Sequence, residues 1–193
     1  MREIKDYYYR KAKKEGFVAR SAFKLIEIND KHNIIAPGYS VLDLGCFPGS
    51  WTQYISQKVG ARGLVVGVDR TQMTLPLGEN TRFIHSDIDH LDVGNPDLFP
   101  GKFDVVCSDM APNTSGIKDV DSERSLGLCQ TALYIAQRVL RSRGTSLVKV
   151  FQGVAFERLR TQMREEYHQI KVIKPKSSRS ESREVFLLGL GKH

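Results

Sequence analysis

Apolar strand-like runs alternate with helical patterns along most of this chain, and that alternation limits its fold more than any other feature. YSVLDLG, GLVVGVD, RFIHSD, FDVVCSD, TSLVKVF, QIKVIKP and EVFLLGLG read as strands, while SAFKLIEINDKH, SWTQYISQKVG, SERSLGLCQTALYIAQRVLRS and VAFERLRTQMREEY read as helices. In the third of these helices Leu126, Cys129, Leu133 and Ala136 recur at helical spacing. The pattern predicts an α/β fold: a doubly wound, mostly parallel seven-stranded sheet with helices on both faces. Only PKSSRSESR separates the last two strands, so they should form an antiparallel closing pair at one edge, with the last strand antiparallel.

The chain has 193 residues, which fit one domain with a core of its own, and no internal repeat or linker interrupts it. No apolar run is long enough to cross a bilayer, and the first residues lack the apolar centre of a signal peptide. A cytoplasmic protein is expected; a mitochondrial matrix location is kept for a chain whose leader has been trimmed. Cys46, Cys107 and Cys129 are odd in number and widely spaced, so they read as small buried apolar residues rather than a disulfide framework. The five histidines show no ligand spacing, no Ser/His/Asp order is present, and no metal is expected.

Charge is more informative. The formal net charge is +7, and the excess is uneven: Arg2, Lys5, Arg10, Lys11, Lys13, Lys14, Arg20 and Lys24 crowd one end, and Lys171, Lys174, Lys176, Arg179 and Arg183 the other. Two basic segments meeting on one face would make a polyanion footprint. RNA is therefore the expected partner, with Lys11, Lys13, Arg20 and Arg179 as candidate contacts and no membrane. Tyr7, Tyr8 and Tyr9 suit either base stacking or helix packing.

In a doubly wound sheet, ligands bind beyond the carboxyl ends of the strands. There Gly45 and Gly49, in DLGCFPGSW, allow a tight turn and a close backbone approach, and the helix opening near Ser50 aims its free N–H groups at the same space. The spacing Gly-x-x-x-Gly, with Pro48 inside it, is not the dinucleotide fingerprint, and no Walker lysine follows. A smaller anion is indicated, such as an amino-acid carboxylate. Asp69 ends the next strand, where a carboxylate can accept both ribose hydroxyls, and Asp87 ends the third, placed for an exocyclic adenine amine or a simple helix cap. Amino-acid tail, ribose and adenine together describe S-adenosylmethionine better than NAD.

DLGCFPGSW, SDMAPN, LVKVF and SSRSESREV, with RSAFKL upstream, resemble the FtsJ/RrmJ-type ribose 2′-O-methyltransferases from Tyr8 to Gly191. The resemblance implies a Rossmann-like S-adenosylmethionine-dependent fold, S-adenosylhomocysteine as product, and as substrate a uridine of large-subunit ribosomal RNA. Relatives act on tRNA anticodon loops or viral mRNA caps, and a tRNA- or mRNA-cap-directed ribose 2′-O-methyltransferase is kept as the runner-up. The resemblance also implies a single methyltransferase domain with a basic, helical RNA-contacting segment over residues 1–38 and a cofactor-binding catalytic core over residues 39–193; a monomer is expected. The family's Lys-Asp-Lys-Glu set falls on Lys24, Asp109, Lys149 and Glu184. Its cofactor positions fall on Gly49, Trp51, Asp69, Asp87 and Asp109, with Gly45, Cys46 and Pro48 in the same turn. The family usually has two small residues before the proline and Gly-Gly after it; this chain has Cys46-Phe47 and Gly49-Ser50, and Phe47 is expected to narrow the methionine end of the pocket.

The residues support the same four independently. Lys149 interrupts an apolar strand, where an ammonium is costly unless paired or neutralised. Asp109 is its natural partner, Lys24 would oppose its protonation, and Glu184 would hold its orientation. A ribose hydroxyl is a weak nucleophile, so a base must take its proton as it attacks the sulfonium methyl, and Lys149 is the candidate. Other methyl acceptors fit less well: neither Cys107 nor Cys129 follows a proline, as cytosine C5 chemistry would need, and the turn Asp109 to Asn113 lacks the aromatic that stacks on a flipped base. Met110 and Pro112 should shape the substrate mouth, and the polar stretch from Asn113 to Asp121 reads as a connector or a closing flap. A non-catalytic assembly factor on the same fold is the alternative from another class, and the intact set of four argues against it.

Overall fold

The computed structural model describes residues 2–113, 115–179 and 181–193; Thr114 of the polar stretch and Ser180 of SSRSESREV lie outside them, as does Met1. The chain opens with helices α1 (Arg2–Lys14) and α2 (Ala22–His32), then runs β1 (Ser40–Leu44), α3 (Ser50–Val59), β2 (Leu64–Asp69), β3 (Thr81–His85), β4 (Phe103–Ser108), α4 (Lys118–Val139), β5 (Leu140–Phe151), α5 (Val154–Glu166), β6 (Tyr167–Ile173) and β7 (Glu184–Lys192). The sheet has seven strands in the order β3-β2-β1-β4-β5-β7-β6. β1 through β5 pair in parallel, and β7 runs antiparallel between β5 and β6. The last strand is the antiparallel one, as expected, but it sits inside β6 rather than on the edge.

Successive strand side chains point to opposite faces, and each face has its own core. Leu42, Leu44, Val66, Val106, Val148 and Leu187 pack under α4 and α5 with Leu133, Ala136 and Leu159. Val41, Val65, Val105, Leu147 and Phe186 pack under α2 and α3 with Leu25, Ile28, Trp51 and Ile55. Lys149 falls between Val148 and Val150, so it shares the face of Leu147 and looks toward α2. Asp43, between Leu42 and Leu44, likewise looks toward α3.

Two boundaries differ from the sequence expectation. The helical pattern ran on to Ser142, yet α4 stops at Val139 and the chain enters β5 at Leu140, which pairs with Phe103 before a register shift. Pairing with β4 outweighs helix continuation there, and Arg143 takes a left-handed backbone with φ of 62° at the irregularity. At its other end α4 begins at Lys118, inside the stretch read as a connector. The Asp121 carboxylate accepts hydrogen bonds from the Ser115 N–H, the Ser115 hydroxyl and the Gly116 N–H, fastening that stretch to the helix. Among the described residues, no helix is long and apolar enough to cross a membrane.

Candidate active site

A cavity of about 640 Å³ opens at the carboxyl ends of β1, β2 and β4. It is beside the β1/β4 junction, where the strand order reverses and ligands bind in this class of sheet, and it lies within the roughly 300–1,000 Å³ of small-molecule sites. Asp69, Asp87, Asp89 and Asp109 stand on its wall with Gly45, Phe47, Met110 and, from α4, Arg124, Gly127 and Thr131.

The turn after β1 supplies only part of that wall. Gly45 turns with φ of 74°, and a side chain there would run into Met110. Its N–H and that of Cys46 both donate to the Val68 carbonyl, at 2.8 and 3.2 Å. Phe47 lines the cavity and is 48% exposed, while its N–H donates to Asp69 Oδ2 at 2.9 Å. Cys46, Pro48, Gly49 and Trp51 do not line it. The Cys46 thiol is buried against Gly67, and burial, with Asp43 and Asp69 adding, pushes its pKa far up, leaving an inert group. Gly49, with φ of 106°, caps α3, and a side chain there would meet Leu75 Cδ2 at 2.8 Å. The Trp51 indole donates to the Ser21 carbonyl at 2.8 Å and packs on Phe186 with ring centres 5.7 Å apart. Their placement makes them supports of the turn.

The acidic residues are held by their own neighbours. Asp69 accepts from the Phe47 and Thr71 N–H groups, at 2.9 and 2.7 Å, and each carboxylate oxygen keeps a lone pair for a ligand hydroxyl. Asp87 caps the short helical turn Ile88–His90 through the Asp89 N–H at 3.1 Å and still faces the cavity, so the cap and the ligand-facing readings hold together. Beneath them lies Asp43, which the sequence reading passed over. It is fully buried, and that burial, opposed by the Thr52 hydroxyl that donates to it at 2.7 Å and reinforced by the charges of Asp109 and Asp69, raises its pKa to about 7. The signal was an acid inside the apolar run VLDL.

Lys24, Asp109, Lys149 and Glu184, from α2, the end of β4, β5 and β7, converge beside the cavity. Ser108 pairs with Val148, which brings Asp109 level with Lys149. Lys149 Nζ lies 2.8 Å from Asp109 Oδ1 and also donates to the Asp109 carbonyl; Lys24 Nζ lies 3.7 Å from the same Oδ1. Glu184 was expected to orient Lys149. Its carboxylate instead meets Lys24 Nζ at 2.8 Å, because β7 runs antiparallel to β5 and sets Glu184 opposite Phe151, beyond Lys149. Burial pushes the Glu184 carboxyl up, but the Lys24 charge and hydrogen bond, with Ser178 and Lys149, together hold it below its ordinary value.

The elements that carry three of the candidate RNA contacts, α1 and the segment joining β6 to β7, pack on α2. Lys13 and Arg179 are exposed, and Arg20 is half-buried just before α2. Lys11 spans Glu15, at 3.9 Å, and the Phe23 ring, 4.6 Å from its centre.

An acidic cavity at the strand ends, with a lysine–carboxylate group at its rim, fits a ligand that carries hydroxyls, an amine and a positive centre. The residues present thus suit S-adenosylmethionine: Asp69 for the ribose, Asp87 for the adenine, and Asp109 between the cavity and the two lysines. The chain matches the FtsJ-like methyltransferase profile over residues 17–192. It is 44% identical over 191 residues to the ribosomal RNA large subunit methyltransferase E of Bdellovibrio bacteriovorus, covering 97% of each chain. With the protein of that name from Acinetobacter baylyi the identity is 44% over 197 residues, covering 100% of this chain and 90% of the other. A Plasmodium falciparum crystal structure described as a ribosomal RNA methyltransferase superposes with a TM-score of 0.80 at 26% identity, covering 91% of this chain and 98% of that one. The chain belongs to the FtsJ-like methyltransferase family and takes S-adenosylmethionine as its methyl donor.

Proposed function

We propose that this protein methylates a ribose 2′-hydroxyl of large-subunit ribosomal RNA, acting as a cytoplasmic monomer without a metal. The observation that carries the reading is the Lys149–Asp109 pair, a buried amine 2.8 Å from a carboxylate at the rim of the donor's cavity. The full-length similarity to bacterial large-subunit methyltransferases supports the substrate, and the basic segments at both ends of the chain support RNA as the partner.

S-adenosylmethionine, when bound, supplies a methyl group made electrophilic by its positive sulfur. Asp69 and Asp87 hold its hydroxyls and amine, and Gly45 makes room for Met110 on the cavity wall. In its unprotonated form Lys149 would take the proton of the ribose hydroxyl as that oxygen accepts the methyl group from the donor's sulfur. The proton ends on Lys149 Nζ, and the departing sulfide is neutral. Asp109 fixes Lys149 through both its carboxylate and its carbonyl. Lys24, held by Glu184, presents a second positive charge to the same Asp109 oxygen. Residues 1–38 act as the RNA-contacting segment, with Lys11, Lys13 and Arg20 on phosphates, joined by Arg179; residues 39–193 form the catalytic core.

The test offers labelled S-adenosylmethionine to hypomethylated large subunits, deproteinised rRNA and unmodified tRNA, with products mapped by mass spectrometry. Methyl on a subunit ribose is expected. Lys149→Ala should lower kcat by about 10²–10⁴, the usual worth of a general base, and leave donor affinity within about twofold. Label on tRNA alone would refute the ribosomal assignment, and full activity in Lys149→Ala would remove it as the base.

A further inference from the structure

Glu27 lies on α2, three residues after Lys24, and takes no part in the group of four. Its carboxylate accepts from three donors: the Lys176 N–H at 2.6 Å, the Ser177 N–H at 3.0 Å and the Tyr8 hydroxyl at 3.3 Å. The first two belong to the segment joining β6 to β7 and the third to α1. Two successive backbone N–H groups on one carboxylate make a charge-assisted anchor. That joining segment carries Arg179, and α1 carries Lys11 and Lys13. One side chain therefore holds both basic elements against α2.

The connection continues into the active site. Beyond Ser177 the chain passes through buried Ser178, one of the groups that hold the Glu184 carboxyl below its ordinary value. Glu184 meets Lys24 at 2.8 Å, and Lys24 is back on α2 one turn before Glu27. The circuit Glu27, Ser177, Ser178, Glu184, Lys24 closes on itself. Where the joining segment docks is thus tied to where Lys24 and Glu184 meet.

We propose that Glu27 is a positioning residue that docks the segment between β6 and β7, together with α1, onto α2, so that the RNA-facing surface and the Lys24–Glu184 pair form as one unit. This rests on RNA being the substrate. The plain alternative is a hydrogen bond that adds stability and nothing else.

Glu27→Gln and Glu27→Ala, made in the full chain, separate the two. Amide hydrogen exchange at residues 176–177 is expected to quicken about tenfold or more in Glu27→Ala. KM for hypomethylated large subunits should rise about tenfold, with a smaller rise in Glu27→Gln, whose carbonyl can serve one N–H. The calorimetric Kd for S-adenosylhomocysteine should stay within about twofold. Faster exchange with unchanged subunit KM and retention would overturn the proposal, and so would donor and subunit affinity falling together in both variants, the mark of general loosening. If the unsubstituted protein methylates no subunit while Glu27→Ala still loses retention of RNA, the ribosomal assignment falls and the role of Glu27 is upheld.

Discussion

Asp109 stands between two halves of opposite character. On the cavity side it joins Asp69, Asp87 and Asp89; on the other it faces Lys24 and Lys149, with Arg20 just before α2 and with α1 and the segment carrying Arg179 packed on that helix. An acidic wall suits a donor with hydroxyls, an amine and a positive sulfur, and a basic face suits phosphate. The halves also differ in construction. Asp69 and Asp87 each hold an N–H two residues further on, which is local turn chemistry, and Asp69 adds the Phe47 N–H from the neighbouring strand-end turn. Lys24 meets Glu184, and Glu27 meets Ser177, only after α2 has docked against the far end of the chain. One half is set by strand ends and the other by long-range packing, and they should therefore fail independently.

The largest effect should come from charge crowded into the acidic half. Asp43 titrates near 7 in the folded protein and near its ordinary 3.8 when unfolded. Between those values the native state holds a proton that the unfolded chain has released, so stability falls as pH rises from about 4 to about 7. Asp43→Asn keeps an acceptor for Thr52 and cannot ionise. Its stability gain should be near zero at pH 4, grow as pH rises to about 7 and level off above that at no more than about 4 kcal/mol, with about 1.4 kcal/mol for each unit of separation. Urea unfolding of both proteins at pH 4.5, 6 and 8 measures this. A gain independent of pH would mean that Asp43 ionises at no cost and that the acidic half carries no electrostatic strain.

Asp69→Ala should act next in size and on the donor alone. It removes two charge-assisted acceptors from the ribose position and frees the Phe47 and Thr71 N–H groups, worth about 1.5–3 kcal/mol together or about 10- to 150-fold in Kd for S-adenosylhomocysteine. Retention of large subunits should change by less than about twofold. Loss of RNA binding in step with donor binding would break the division between the halves.

Legibility in the sequence follows the same division. The strands, the turn after β1 and the carboxylates at strand ends were readable because period, turn residues and strand-end position are local properties. Lys149 and Asp109 were readable because a charge in an apolar strand demands a partner. The pairing of Glu184 with Lys24 was not, since it depends on β7 inserting antiparallel between β5 and β6. Nor was the placement of Cys46, Gly49 and Trp51 behind the cavity wall, because a motif tells which residues share a turn and not which way each side chain leaves it. Nor was the anchoring by Glu27, whose partner Ser177 lies 150 positions further along the chain.

Ser50 offers the finest test, because it sits on the seam between the halves. Its hydroxyl is buried at the start of α3 and lies 2.8 Å from the Ser21 hydroxyl. The Ser21 carbonyl receives both the Trp51 indole N–H at 2.8 Å and the Lys24 N–H at 3.1 Å. The contact therefore joins the helix after the donor's turn to the helix that carries Lys24. Ser50→Ala removes one neutral hydrogen bond, worth about 1 kcal/mol, while the Trp51 bond remains. A fall in kcat of about three- to fivefold, with the Kd for S-adenosylhomocysteine nearly unchanged, is expected if the loss is felt through Lys24. Ser21→Ala with Ser50→Ala should then be little worse than either alone, because both remove the same contact. If Ser50→Ala instead weakens the donor and spares kcat, Ser50 belongs to the acidic half, and the seam between the two halves runs through α2 rather than ahead of it.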